Sequence, residues 1–266
     1  MVSIITISSL RGGVGKTTFA LELALYLSLK AKVLLLDADF YSPQLLLDVN
    51  SRKGNIPLKP KAYIRDVFRG LYSIEESCVA VSPTLHAIFS DPNVNLWELS
   101  KDVGNKNFWI EDEVSIPSQA EKGFAKLKEY VNNNLYEFLI FDTMGSLSYP
   151  MLYLNYISTH SLYLSQPSLP QLKYMVDFIN LIARTNQQVS LVWSNVPIAD
   201  NFMSKARQSL EEKLREKCSN KFNIIGLIPR DPEFEQNALC GELNLFPGRA
   251  ATPYYEGVRK IAQLMN

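Results

Sequence analysis

The amino-acid sequence predicts a doubly wound, mostly parallel α/β sheet flanked by helices. Three observations predict it: apolar strand segments that recur along the chain without apolar/polar alternation, helical segments between them, and a glycine run at the first strand-to-helix junction. Strands that are apolar at successive positions are expected where both faces of a sheet are covered. Strand–helix alternation sustained over a whole chain gives a parallel sheet with helices on both sides.

The elements follow in order. "VSIITIS" (2–8) is a β-branched run that stops at the glycines, and it reads as a strand because it carries neither a basic leader nor a cleavage site. "GKTTFALELALYLSLK" (15–30) follows as a helix, apolar on most faces and therefore expected to be buried. "KVLLLD" (32–37) is a continuous apolar strand ending in an acid, and the same rhythm returns at "YEFLIFD" (136–142), "SLYLSQ" (161–166), "QVSLVWSN" (188–195) and "FNIIGLIP" (222–229). Helical patterns lie at "QAEKGFAKLKEYVNNN" (119–134), "LPQLKYMVDFINLIART" (169–185) and "NFMSKARQSLEEKLREKC" (201–218). Ser168 and Asp200 stand where N-caps are wanted, with Pro170 in a first turn. "YYEGVRKIAQLMN" (254–266) reads as a last helix of the fold, with nothing beyond it to bind lipid. No linker, repeat or low-complexity tract interrupts this pattern, so residues 1–266 are expected to form one domain.

Composition narrows the function. The chain of 266 residues is 47% hydrophobic, enough for a sizeable core, and balances 27 basic against 27 acidic residues. A balanced charge removes any global electrostatic argument for nucleic acid. No apolar run approaches the roughly 18 residues needed to span a membrane. Cys78, Cys218 and Cys240 have no C-x-x-C spacing, so buried thiols in a reducing cytoplasm are expected. Residues 91–118 fit the alternation least: they are rich in Asn, Asp and Pro and hold Trp97 and Trp109, expected either to plug a surface groove or to meet a partner.

"SSLRGGVGKTTFAL" (8–21) carries the chemistry. An apolar strand precedes it, a helix follows, and Lys-Thr stands at the junction, which is the context a phosphate-binding loop requires. Gly12, Gly13 and Gly15, with Val14 among them, let backbone N–H groups converge on an anion, and the helix N-terminus adds partial positive charge. Lys16 would reach the β- and γ-phosphates, the Thr17 hydroxyl would sit on Mg²⁺, and Thr18 would touch the α-phosphate. The first glycine of the usual pattern is missing, however: Leu10 occupies its place, and Arg11 stands next to it.

This loop resembles that of the deviant Walker A ATPases of the MinD/ParA family, K-G-G-x-G-K-[ST], which lacks that glycine as a rule. "LLLDADFYSPQ" resembles the family's D-x-D switch, and "DADFYSP" is especially close to its Mrp-type branch. "FLIFDTMG" is similar to the Walker B strand and second switch, though Met144 and Gly145 stand where the family has Pro-Pro. "VWSNVP" and "GLIPRDPEFEQNALCGELNLFP" resemble the adenine-contacting strand and the late I-P-x-D segment.

The resemblance implies ATP and Mg²⁺ as ligands. Asp37 would hold the metal's shell together with Thr17 and, in a second shell, Asp142; Asp39 would orient the attacking water. Asn195 and the loop from Pro229 to Asp231 would hold adenine, an amide offering both the donor and the acceptor that the base presents. It also implies a homodimer formed on ATP binding, with Arg11, where the family has lysine, reaching the partner's phosphates; a charged guanidinium can contact phosphate oxygens in a fork. The expected function is a cytoplasmic dimerising ATPase whose slow hydrolysis serves spatial organisation or partitioning of DNA or another assembly, with an unidentified protein partner or cargo. Two alternatives remain at this point: a metal-insertion or iron–sulfur chaperone, disfavoured by the missing C-x-x-C, and a nucleotide-binding regulatory module with negligible turnover.

Overall fold

A computed structural model describes residues 2–53, 57–93, 118–184, 188–197, 201–219, 221–240, 243 and 252–265. The chain order is β1 (Ser3–Ser8), α1 (Lys16–Leu27), β2 (Val33–Ala38), α2 (Leu45–Arg52), α3 (Ile64–Phe68), α4 (Ile74–Ser77), β3 (Val79–Ala80), β4 (Leu85–Ile88), α5 (Gln119–Asn133), β5 (Phe138–Thr143), α6 (Tyr149–Ile157), β6 (His160–Ser165), a 3₁₀ turn (Leu169–Gln171), α7 (Leu172–Ile182), β7 (Val189–Val196), α8 (Asn201–Lys217), β8 (Asn223–Pro229), α9 (Pro232–Cys240) and α10 (Pro253–Gln263). The strands form one eight-stranded sheet in the order β3-β4-β2-β5-β1-β6-β7-β8. Every pairing is parallel except that of β3 with β4. The doubly wound, mostly parallel sheet is the one the sequence predicts.

Period-two geometry explains why these strands show no polar face. Ile5, Ile7, Val33 and Leu35 pack with α1, α2 and α10 on one side of the sheet. Their neighbours Ile4, Leu34, Leu36 and Phe141 pack with α3, α5 and α6 on the other. A further cluster joins Tyr163, Leu191 and Trp193 of β6 and β7 to α7 and α8. Both faces are dry, so alternation has nothing to report.

Some expectations need correction. The short strands β3 and β4 were not apparent from the residues; β4 is four residues long and includes a histidine, so its placement beside β2 is a tertiary decision. Ser168 occupies its cap position without a side-chain hydrogen bond, and the chain enters α7 through the 3₁₀ turn. Cys78 and Cys218 are only half-buried and Cys240 is exposed, against the expectation of buried thiols. Asp200, Trp97 and Trp109 lie outside the described residues.

Helix α1 is buried nearly all round, as its composition implies, and this buries Glu22 with it. Arg52, at the end of α2, pairs with Glu22, and both side chains are only 3% exposed. Burial pushes the Glu22 carboxyl up, and the Arg52 charge and hydrogen bond oppose that shift. Removing one member of such a pair costs far more than removing both, because the survivor is a buried, uncompensated charge. Arg52→Met is therefore expected to lower unfolding free energy by about 3–5 kcal/mol in urea titration. Arg52→Met combined with Glu22→Leu should recover most of that loss.

Candidate nucleotide-binding site

In a sheet of this kind the carboxyl ends of the parallel strands share one edge, and ligands bind there. The residues singled out in the first three strand-end segments meet at that edge. Asp37 on β2 is in register with Asp142 on β5, and Asp142 is in turn in register with Ile7, next to the loop that follows β1. Both acids are fully buried.

The loop is built to face an anion. Gly13 and Gly15 adopt φ of 74° and 84°, in the left-handed region that favours glycine. A β-carbon placed on Gly12, Gly13 or Gly15 would meet no atom within 4 Å, so these three positions line open space. Gly15 also serves as N-cap of α1; it has no side chain to offer, and no acidic residue stands in the first turn. The N–H groups of that turn therefore lack the usual side-chain cap and keep their partial positive charge for a ligand. Val14 is buried and anchors the loop, while Thr17 and Thr18 are half-exposed.

Charge concentrates beneath this cradle. Lys16 is only 7% exposed. Burial lowers its pKa, opposed by the charges of Asp142 and then Asp39. The Asp37 carboxyl is raised well above the usual range, first by burial and next by the charge of Asp142. Asp142 is raised to about 7, again chiefly by burial. Among the described residues neither Asp142 oxygen has a donor in good hydrogen-bond geometry, although the Thr17 hydroxyl lies near enough to favour the charged form. Asp37 Oδ1 accepts the Asp39 N–H at 3.0 Å, and the Leu45 N–H lies near enough to favour the charged form, but among the described residues Oδ2 has no donor in good hydrogen-bond geometry. Buried carboxylate oxygens left unsatisfied are costly, and they are what a site for a cation beside a phosphate chain presents. No group of three or more acids, histidines and cysteines is assembled for a metal among the described residues.

The other expected residues fall into place differently. Asp39 is half-exposed on the loop after β2, where its carboxylate accepts the N–H groups of Tyr41 at 3.2 Å and Ser42 at 3.0 Å. Arg11 is exposed and its guanidinium forms no ion pair among the described residues. Asn195 sits at an irregularity in the pairing of β7 with β8, with φ of 52°, exposed between buried Ser194 and Val196. Such backbone conformations are uncommon outside glycine and gather at functional sites, and asparagine tolerates them best. The Asp231 carboxylate, by contrast, is already committed. It accepts the Phe234 N–H at 3.0 Å and the Tyr254 N–H at 3.3 Å, tying the starts of α9 and α10 together. Burial alone would raise its pKa, but these hydrogen bonds and one from Thr252 outweigh it and leave the pKa lowered. Pro229, at the end of β8, is half-buried. Two contacts went unseen in the sequence: Ser9 Oγ donates to the Arg11 carbonyl at 2.6 Å, and Gly145 approaches the same peptide closely. A glycine three residues after the strand-end acid is the one sequence signal for the second.

An open glycine cradle at a helix start, a buried lysine and two buried acids with incompletely satisfied oxygens on a doubly wound sheet define a nucleotide-binding α/β protein. The chain belongs to the CobQ/CobB/MinD/ParA nucleotide binding domain family, which it matches over residues 5–244. Solved structures with the same fold include a Borrelia burgdorferi protein assigned to plasmid partition and bound to AMPPNP, at TM-score 0.73 and 20% identity, covering 99% of this chain and 98% of that one. The Pyrococcus furiosus cell division ATPase MinD is similar at TM-score 0.69 and 18% identity, covering 99% and 98% of the two chains. MinD from Pyrococcus horikoshii, complexed with Mg-ADP, is similar at TM-score 0.69 and 17% identity, covering 100% and 96%. No curated protein matches the chain in sequence.

The raised carboxyl pKa values set a pH dependence. A carboxyl whose pKa is higher folded than unfolded binds more protons in the native state between the two values, so stability falls as pH rises through that window. For Asp142 the window runs from about 3.8 to about 7. The melting temperature of the ligand-free protein is expected to fall between pH 5 and pH 8. In Asp142→Asn, which cannot ionise there, the fall should be visibly smaller by differential scanning fluorimetry. Equal slopes for the two proteins would show that Asp142 ionises freely.

Proposed function

We propose that the chain is an ATP-hydrolysing member of this family, of the MinD/ParA type. Two copies would sandwich MgATP, and slow hydrolysis would reset the dimer in the service of positioning or partitioning another assembly. The observation that carries the reading is the buried Lys16 beneath an open glycine cradle, beside orphaned oxygens of Asp37 and Asp142. The AMPPNP and Mg-ADP complexes of structurally similar proteins support it, as do the partition and cell-division assignments of those proteins.

Phosphoryl transfer to water asks a protein mainly to orient the reactants and neutralise charge. The loop amides from Gly12 to Thr18 hold the phosphate chain, and Lys16 neutralises the β- and γ-oxygens. Its burial keeps water from competing for that charge. Thr17, Asp37 and Asp142 are the residues that would hold Mg²⁺, which supplies charge neutralisation across the phosphates. Asp39 orients the attacking water once its carboxylate leaves the Tyr41 and Ser42 amides, a rearrangement suited to a switch. Arg11, exposed at the mouth of the loop, reaches the phosphates of the facing subunit. Asn195, turned outward at the β7 irregularity, recognises the base. Among the described residues no helix is long and apolar enough to cross a membrane, which fits a protein that works in solution or at a surface.

Lys16→Ala should weaken ATP binding at least tenfold in calorimetry, about 1.4 kcal/mol. An unchanged affinity would overturn the assignment of the site.

Arg11→Ala should keep most of the monomer's ATP affinity while losing ATP-dependent dimerisation in light scattering, and phosphate release with it. Mixing Arg11→Ala with Lys16→Ala subunits places an intact Arg11 opposite the one intact ATP site. Partial return of phosphate release is expected. If mixed dimers form and no activity returns, Arg11 acts within its own subunit.

A further inference from the structure

The turn after β5 touches the phosphate loop through Gly145, a residue that stands where the resembling family has proline. Gly145 lies three residues beyond Asp142 with its backbone pressed onto the phosphate loop. A β-carbon there would stand 2.7 Å from the Gly12 nitrogen, 2.8 Å from the Arg11 carbonyl carbon and 2.8 Å from the Arg11 oxygen. All three atoms belong to one peptide group, which has no flexible end to swing aside. Gly145 is not among the glycines with positive φ, so the demand for glycine is steric contact and not backbone conformation.

That peptide is held from more than one direction. Buried Ser9 donates its hydroxyl to the Arg11 carbonyl at 2.6 Å. The turn itself is fastened to β1, because Thr143 Oγ1 donates to the Ile7 carbonyl at 2.8 Å, and Met144 is buried beside it. The orientation of the peptide joining Arg11 to Gly12 sets where the Arg11 side chain leaves the loop and how the first glycine enters the cradle. A displacement of the turn and a displacement of the loop entrance therefore cannot occur independently.

We propose that Gly145 is a positioning residue that locks the turn following Asp142 to the entrance of the phosphate loop, so that Arg11 and the glycine cradle keep their places only while the turn is seated. Its effect on nucleotide binding rests on the function proposed above; the mechanical coupling does not. A methyl group at this position must move backbone, and overpacking against backbone is not relieved by a rotamer change.

The test compares Gly145→Ala with Ser146→Ala, its exposed neighbour, in the full chain. Hydrogen exchange of residues 8–15 is followed by mass spectrometry without nucleotide. Gly145→Ala is expected to speed that exchange at least tenfold with a melting temperature close to wild type, and Ser146→Ala to leave it unchanged. With ATP, Gly145→Ala should raise the Kd at least tenfold, and Ser146→Ala should leave it unchanged. Unaltered exchange over residues 8–15 in Gly145→Ala overturns the proposal, whatever ATP does. Faster exchange in a protein whose wild type binds no ATP upholds the coupling and overturns the proposed function instead. Ser9→Ala, which frees the Arg11 carbonyl, should show the same pattern at smaller size and carries the test if Gly145→Ala does not fold.

Discussion

Two carboxylates buried side by side on adjacent strands are the constraint around which this protein is arranged. Asp37 and Asp142 share a register position on β2 and β5, and among the described residues three of their four oxygens have no donor in good hydrogen-bond geometry. Hydrophobic burial elsewhere has to outweigh that cost, and the sheet supplies it by drying both faces. The charge is partly answered from within by Lys16, itself desolvated, whose ammonium senses Asp142 first and Asp39 second. What remains is a site that a phosphate chain with its cation would complete. Such an arrangement costs stability, as expected where function requires unsatisfied groups.

Helix α1 makes that arrangement possible. Its first turn ends in the glycine cradle, and its body is buried between the sheet and the α2–α10 layer. A helix so enclosed cannot tilt without disturbing the core, so Lys16 is placed by packing and not by its own flexible stem. The pairing of Glu22 with Arg52 joins α1 to α2, the helix that follows the loop of Asp39. The loop of Asp39 is thus tethered, through α2, to the element that carries Lys16. The Gly145 contact does the same for the turn after β5.

The recurrent apolar runs at 32–37 and 136–142 and the glycine run at 12–15 were legible because each is a local pattern with one physical reading. Every strand read from the residues appears in the sheet, and α1 is buried as its composition implied. Short elements were not legible. A strand of four residues such as β4 carries too little pattern to differ from a loop, and only its pairing with β2 makes it a strand. At the site, the loop and its acids could be named in advance, but their condition could not. That the Asp231 carboxylate accepts the amides of Phe234 and Tyr254, the second of them 23 residues along the chain, could not be read from its segment.

The sequence by itself determined the class of sheet, the position of the phosphate loop within it and the identity of the charges at the strand ends. These follow from period, spacing and residue chemistry, which are local. Tertiary structure alone decided that Asp37 and Asp142 are neighbours, that Asn195 is turned outward by an irregular pairing, and that Gly145 leans on the peptide between Arg11 and Gly12. Strand order and the packing of one loop on another bring together residues more than a hundred positions apart. No local pattern encodes such a meeting, because it is settled by which faces must be buried once the whole chain has folded.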